Sequence, residues 1–356
     1  MKEAMHWKAE AEGKVRCELC HQRCRIQPGQ RGRCGVRENR EGRLVSLVYG
    51  HPIARAVDPV EKKPFYHVLP GSKAFSIGTA GCNFHCLHCQ NCTISQVSED
   101  MDFAMPAMVP PRQIVAMAKA SRCASIACTY TEPAVFYEYA YDIARLAKDE
   151  GLKNLFITNG YIMPEPLAEI EPYLDAANID LKFFTDKLYR TVAGARLQPV
   201  LDTIRLHHEL GIWIEITTLV IPEYNDDTEQ LRAMAEFIAG IDPGIPWHLS
   251  AFHPTYKLTD AEPTPRAVLK KARAIGLEAG LQHVYLGNAG DPGHTHCPQC
   301  ARILVERNRM GLRARHMDRD RCPGCATRIG GIWPGTENAK PGVGAQSGGQ
   351  AGMALS

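Results

Sequence analysis

The sequence has no run of ~18 apolar residues, the length a helix needs to cross a bilayer, so no membrane span is expected among its 356 residues. Its opening stretch, MKEAMHWKAEAEGK, lacks the apolar segment of a secretory leader and is not read as one. Net charge is scarce: 41 Lys and Arg against 39 Asp and Glu leave +2, with both signs mixed along the chain. Proteins that grip nucleic acid through phosphates concentrate their bases on one face, so a nucleic-acid partner is not expected. No internal repeat is visible. Cysteine, by contrast, is abundant, with 14 residues. Disulfide frameworks belong to small secreted chains, and this chain fits neither description. The thiols are read as metal ligands in a reducing, cytoplasmic setting.

Hydrophobic residues make up 45% of the chain, enough for a sizeable core. Residues 1–50 form a basic, cysteine-rich module punctuated by Gly29, Gly32 and Gly35. Residues 51–71 are a proline-marked connector. From 72 to 290 short apolar runs alternate with amphipathic stretches. The runs are AFSIGT, SIACTY, NLFITNG, NIDLKFF, WIEITTLVI, HLSAFH and HVYLGN. Stretches such as PRQIVAMAKAS, AVFYEYAYDIARLAKDEG, DDTEQLRAMAEFIAG and PRAVLKKARAIGLEAG lie between them. Strands joined by helix-length connections make βαβ units and a parallel sheet. A complete eight-unit barrel takes ~250 residues, so the expected fold is α/β, a partial (β/α)6 TIM-type barrel with small cysteine-rich metal-binding modules at both ends. Residues 291–335 form the second module, and the Gly-, Ala- and Ser-rich tail 336–356 is expected to be disordered.

The first run leads into AGCNFHCLHCQNC, with cysteines at 82, 86, 89 and 92. Loops at the C-terminal ends of parallel barrel strands are where such folds build sites. Cys86, Cys89 and Cys92 begin a bacterial ferredoxin run, but that run continues with a cysteine and a proline where this chain has Gln96 and Val97. Structural zinc prefers two knuckles far apart in sequence. The remaining reading is CxxxCxxC on Cys82, Cys86 and Cys89: three thiolates on a 4Fe–4S cluster with one iron left open for a cofactor. Cys92 is read as a buried small hydrophobe. His88 stands before the last cysteine, where an imidazole can stack or titrate.

This CxxxCxxC loop resembles the signature of the radical S-adenosylmethionine (SAM) superfamily. The resemblance implies SAM bound at the open iron, reductive cleavage to a 5′-deoxyadenosyl radical, and hydrogen abstraction. SAM then needs polar partners from the strand ends. Candidates are Glu132 in TYTEP, which partly resembles the family's Gly-Gly-Glu; Thr158 and Asn159; and Asp180 with Lys182, which period 2 puts on one strand face. Asp180 and Lys182 can also simply neutralise each other. The run HLSAFHP offers His248 and His253; a lone histidine there is more often a satisfied core residue, and His253 is kept as a pocket residue.

Asp-Leu-Lys, Thr-Asn-Gly and LVIPEYND together resemble pyruvate formate-lyase activating enzymes. CELCHQRCRI, GRCGVRENREG, DPVEKKPFYHVLPGS, CNFHCLHCQN, TYTEPAVFYEYAYD, NIDLKFF, CPQC and CPGC resemble the AmmeMemoRadiSam system radical SAM enzymes. That resemblance implies Memo-type and AMMECR1-type partner proteins, and a reductant such as flavodoxin or ferredoxin. It gives no substrate: a partner protein, a small molecule or lipid, and a non-catalytic iron–sulfur role in partner binding all stay open. Cys17, Cys20, Cys24 and Cys34 can close a zinc site or hold a second cluster, with zinc favoured. Cys297, Cys300, Cys322 and Cys325, as CPQC-x21-CPGC, have zinc-ribbon spacing, which a rubredoxin-like iron site shares. The flanking modules are sized to line the open side of a partial barrel, or the connector 51–71 can plug it.

Overall fold

The computed structural model describes residues 1–97, 107–308 and 311–336, so the tail beyond Thr336 lies outside the described residues. Its centre is one eight-stranded sheet whose strands follow in sequence order. Strand β1 (Ala54–Pro59) runs antiparallel to β2 (Lys73–Gly78). Then come β3 (Ser125–Cys128), β4 (Lys153–Thr158), β5 (Ala176–Asp180), β6 (Trp213–Val220), β7 (Trp247–Ala251) and β8 (Val284–Gly287), each parallel to the one before. Six helices make the crossovers: α1 (Pro111–Ala120), α2 (Tyr137–Asp149), α3 (Pro164–Ile170), α4 (Leu197–Glu209), α5 (Thr228–Ile241) and α6 (Arg266–Glu278). All seven apolar runs became the parallel strands, so the six βα units carry a seventh strand. The antiparallel β1, drawn from the connector, was not legible as a strand because ARAVDP has no run of strongly apolar residues and ends in Asp58 and Pro59, both disfavoured in strands.

Local chemistry explains the helix ends. Pro111 and Pro164 open α1 and α3 at positions whose N–H needs no partner. The Asp227 side chain caps α5 by accepting from the Gln230 N–H at 2.8 Å. Gly151 stops α2 in the left-handed region (φ +74°).

The sheet curls, because residues from the cysteine loop after β2 and Asn288 beyond β8 line the same cavity. Among the described residues no strand pairs with the outer edge of β1 or of β8, which leaves the barrel open. Its lower end is filled by the connector. Val60, Phe65 and Val68 pack with Ala74, Ala127, Leu155, Ala176 and Trp213 in a separate apolar cluster. Above it, Asn178 donates to the Pro64 carbonyl at 2.9 Å. Glu215, fully buried on β6, accepts from the Tyr66 and His67 N–H groups at 3.0 and 2.8 Å and pairs with His248 at 2.6 Å. His248 is thus a satisfied core residue.

The two cysteine-rich modules occupy opposite ends. The C-terminal one docks on the plug: Val68 bridges to Ile332, and Arg307 donates to the Tyr66 carbonyl at 2.6 Å. It therefore sits below the barrel and does not line the opening, contrary to the expectation from its size. The N-terminal module lies against the cysteine loop. Gly81, with φ +90°, comes so close to it that a Cβ would stand 2.6 Å from the Cys34 carbonyl oxygen.

Glu215→Ala should destabilise the protein by about 3–5 kcal/mol, because a buried partner of several donors is lost. Glu215→Gln, which keeps one acceptor oxygen, should cost less. Chemical denaturation measures both; equal midpoints for wild type and Glu215→Ala would remove Glu215 as the pin of the plug.

Candidate active site

The upper end of the barrel opens into a cavity of about 380 Å³, within the usual range for small-molecule sites. Cys82, Cys86 and Cys89 line it on a loop that is tied down on several sides. Backbone N–H groups of His85 and Leu87 donate to the Ala193 and Val192 carbonyls at 3.0 and 2.9 Å, and Lys257 donates back to Leu87 at 3.0 Å. Phe84 is buried edge-on to Tyr161 at 5.1 Å and donates its N–H to the Cys82 sulfur at 3.4 Å. Ser95 Oγ lies 3.1 Å from the Cys89 sulfur. These bonds fix where the three cysteines sit on the cavity wall. Burial pushes the Cys82 thiol pKa up, and lifts that of Cys86 to about 11. Buried thiols of this kind ionise when a metal replaces the proton.

Glu132, Thr158, Asn159, Asp180 and Lys182 line the same cavity. Glu132 is buried, and its carboxylate is occupied: it accepts from Thr158 Oγ1 at 2.7 Å, the Asn159 N–H at 2.8 Å and the Ala134 N–H at 3.1 Å. Burial raises its pKa to about 7 against the pull of those donors. Asn159 turns its amide to Asn83 Oδ1 at 2.7 Å, beside Cys82. Lys182 Nζ pairs with Asp180 Oδ2 at 2.8 Å. Burial opposes its charge, but Asp180 and then Cys86 outweigh that and raise its pKa. The expected neutralisation and the expected cavity placement therefore coexist, with the Lys182 ammonium next to the cysteines. His88 is buried with its Nδ1 unpartnered, and desolvation, reinforced by Lys182, lowers its pKa to about 3.

Two expectations fail. His253 is exposed beyond the end of β7 and does not line the cavity. Cys92 is half-exposed at the start of a single helical turn (Cys92–Ser95), not a buried hydrophobe. The cavity also takes residues that the sequence reading passed over. Ser250 shares a strand face with His248, and Asn288 ends the last run, so the strand-end rule could have found both. Lys63 arrives from the connector, for which no local signal exists.

The terminal cysteines form two further groups. The sulfurs of Cys297, Cys300, Cys322 and Cys325 all lie within 4.8 Å of one another, with 3.4 Å from Cys297 to Cys325 and 3.5 Å from Cys300 to Cys322. That spacing is compatible with one tetrahedral ion, whose thiolates stand ~3.8 Å apart. Cys17, Cys20, Cys24 and Cys34 surround a separate cavity beside the main cysteine loop.

The radical SAM superfamily profile matches residues 76–237. An uncharacterized protein of Methanocaldococcus jannaschii is 43% identical over 336 residues, which covers 92% of this chain and 99% of that protein. The pyruvate formate-lyase-activating enzyme of Clostridium pasteurianum is 25% identical over 145 residues, 38% of this chain and 60% of that enzyme. A domain of a pyruvate-formate lyase-activating enzyme from Bacteroides vulgatus superposes with a TM-score of 0.41 at 20% identity, covering 46% of this chain and 99% of that domain. Superfamily membership implies a 4Fe–4S cluster and SAM, and the residues present fit them: three convergent thiols, a charged lysine and an unpartnered imidazole nitrogen share one cavity. Residues 76–237 of the chain are a radical SAM domain.

Proposed function

We propose that Cys82, Cys86 and Cys89 hold the 4Fe–4S cluster with SAM against it, and that the enzyme abstracts hydrogen from a partner protein in the manner of glycyl-radical activating enzymes. The observation that carries this reading is the convergence of the three cysteines with Lys182 on one open cavity at the strand ends. When bound, the cluster and SAM supply a carbon-centred radical.

The chain's own residues divide the remaining work. Lys182 offers the cation for the SAM carboxylate, and Asp180 holds it in place. Glu132, already saturated, positions Thr158 and Asn159 and does not itself need to touch SAM. His88, buried on the cavity wall, offers its ring to the nucleoside end. The open barrel edge leaves room for a polypeptide. The sequence likeness to the AmmeMemoRadiSam enzymes supports Memo-type and AMMECR1-type proteins as partners, a flavodoxin- or ferredoxin-type reductant and a cytoplasmic setting. Among the described residues no helix is long and apolar enough to cross a membrane. Zinc is the proposed ion for Cys297, Cys300, Cys322 and Cys325.

Anaerobically reconstituted, reduced enzyme should convert SAM to 5′-deoxyadenosine and take deuterium into it from a deuterated Memo-type protein. No 5′-deoxyadenosine under any reductant would sink the catalytic reading, and efficient transfer from a free metabolite would replace the protein target with a small one. Lys182→Met and Asp180→Asn should each weaken SAM binding by about tenfold, roughly 1.4 kcal/mol, with iron content unchanged. Isothermal titration with iron analysis checks this; parallel loss of iron would mean collapse of the site.

Metal analysis of the full chain should find that Cys300→Ser removes one zinc and no iron. Unchanged zinc would shift the ion elsewhere.

A further inference from the structure

We infer that the N-terminal cysteines Cys17, Cys20, Cys24 and Cys34 hold a second four-iron cluster, seated one residue of wall away from the SAM-binding loop. This goes beyond the proposed function and does not depend on its substrate.

Spacing separates a cluster from a single ion. Two thiolates on one zinc, each at about 2.3 Å, stand no more than about 4.6 Å apart. Among the described residues, the C-terminal quartet alone gathers three or more ligating atoms all within 4.8 Å of one another. No three of the N-terminal quartet do so, and neither do Cys82, Cys86 and Cys89, the set that superfamily membership assigns to a 4Fe–4S cluster. A four-iron cluster is itself a body of several atoms and holds its thiolates farther apart than one ion does. The N-terminal quartet shares this wide spacing, yet all four of its cysteines line one cavity. A cluster, the second of the two readings that the sequence left open at these positions, thus takes the place of zinc.

The cavity suits an anionic, sulfur-rich body. Leu19, Ile26, Ala134 and Val135 form apolar walls, and two buried donors border it without partners. Arg37, 2% exposed, uses Nη1 on Glu138 at 2.9 Å and Nη2 on the Met5 carbonyl at 2.6 Å, which leaves its Nε–H unpaired. Asn83, 1% exposed, accepts from Asn159 through Oδ1 and leaves its Nδ2 unpaired. Unpaired buried donors are rare and costly, and N–H donors toward cluster sulfurs are among the groups that set a cluster's potential. Four thiolates on a 2+ core leave a net charge of about −2, which the Arg37 guanidinium opposes. The wall between the two cavities is Asn83 itself, bonded to Cys82, and the Gln22 side chain, from inside the quartet, donates to the Asn83 carbonyl at 2.9 Å.

The test uses the full chain, reconstituted anaerobically. Wild type should hold about eight irons and eight sulfides with a single zinc, the sum of two four-iron clusters and the ribbon ion. The C82A/C86A/C89A variant should retain about half the iron and lose SAM cleavage. The Cys20→Ser variant should lose the complementary half of the iron. Were Cys20→Ser to misfold, the triple variant alone still decides. Its complete loss of iron, or two zinc ions per chain in wild type, would overturn the second cluster while leaving the SAM-binding one intact. In reduced wild type the paramagnetic resonance spectrum should show spin coupling between neighbouring clusters; a spectrum equal to the sum of the two variants' spectra would overturn their adjacency.

Discussion

A single buried carboxylate organises this barrel. Glu215 is carried into the lumen by β6 and is fully buried there, so its stability depends on donors brought from elsewhere. The plug supplies two backbone N–H groups, and β7 supplies His248. The bond network therefore fastens the connector inside the strands. Because that end is filled, and the C-terminal module covers it, chemistry is confined to the other. The period-2 geometry of β6 makes this division physical: Trp213 and Glu215 face the plug, while Thr217 and Leu219, further along the same face, line the cavity.

The active end follows a different logic. Lys182, Asp180 and Glu132 are ionisable groups in a largely desolvated space, where an unpaired charge is expensive. The chain answers by pairing Lys182 with Asp180 and by giving Glu132 three donors. What remains underused is one face of the lysine, the His88 nitrogen and the cysteine sulfurs. Pairing the framework groups among themselves fixes their positions and keeps any one of them from standing as an isolated buried charge.

The three cysteine groups of the chain differ in how their sulfurs are spaced. CxxC pairs brought together from two knuckles converge on a point, as at Cys297 and Cys325. The N-terminal and central sets instead surround a volume. Both of these wide sets meet at Asn83 and Gly81, where a side chain larger than hydrogen would collide with the Cys34 carbonyl.

Much of the molecule was legible from residue order alone. Apolar runs of strand length, separated by amphipathic stretches, determine a parallel α/β sheet because local periodicity decides which face is buried. The CxxxCxxC loop, Thr158, Asn159, Asp180 and Lys182 could be named because strand ends in such sheets converge. The rest was decided by tertiary structure. That the connector enters the lumen, that Lys63 reaches the cavity, that His253 misses it, and that Glu215 is a core pin depend on contacts between segments more than a hundred residues apart, or on where a strand ends. The difference in spacing between the C-terminal and N-terminal quartets is also three-dimensional. Cysteine order sets which sulfurs can gather, but only the folded backbone sets how far apart they stand, and that distance decides whether one ion or several can lie between them.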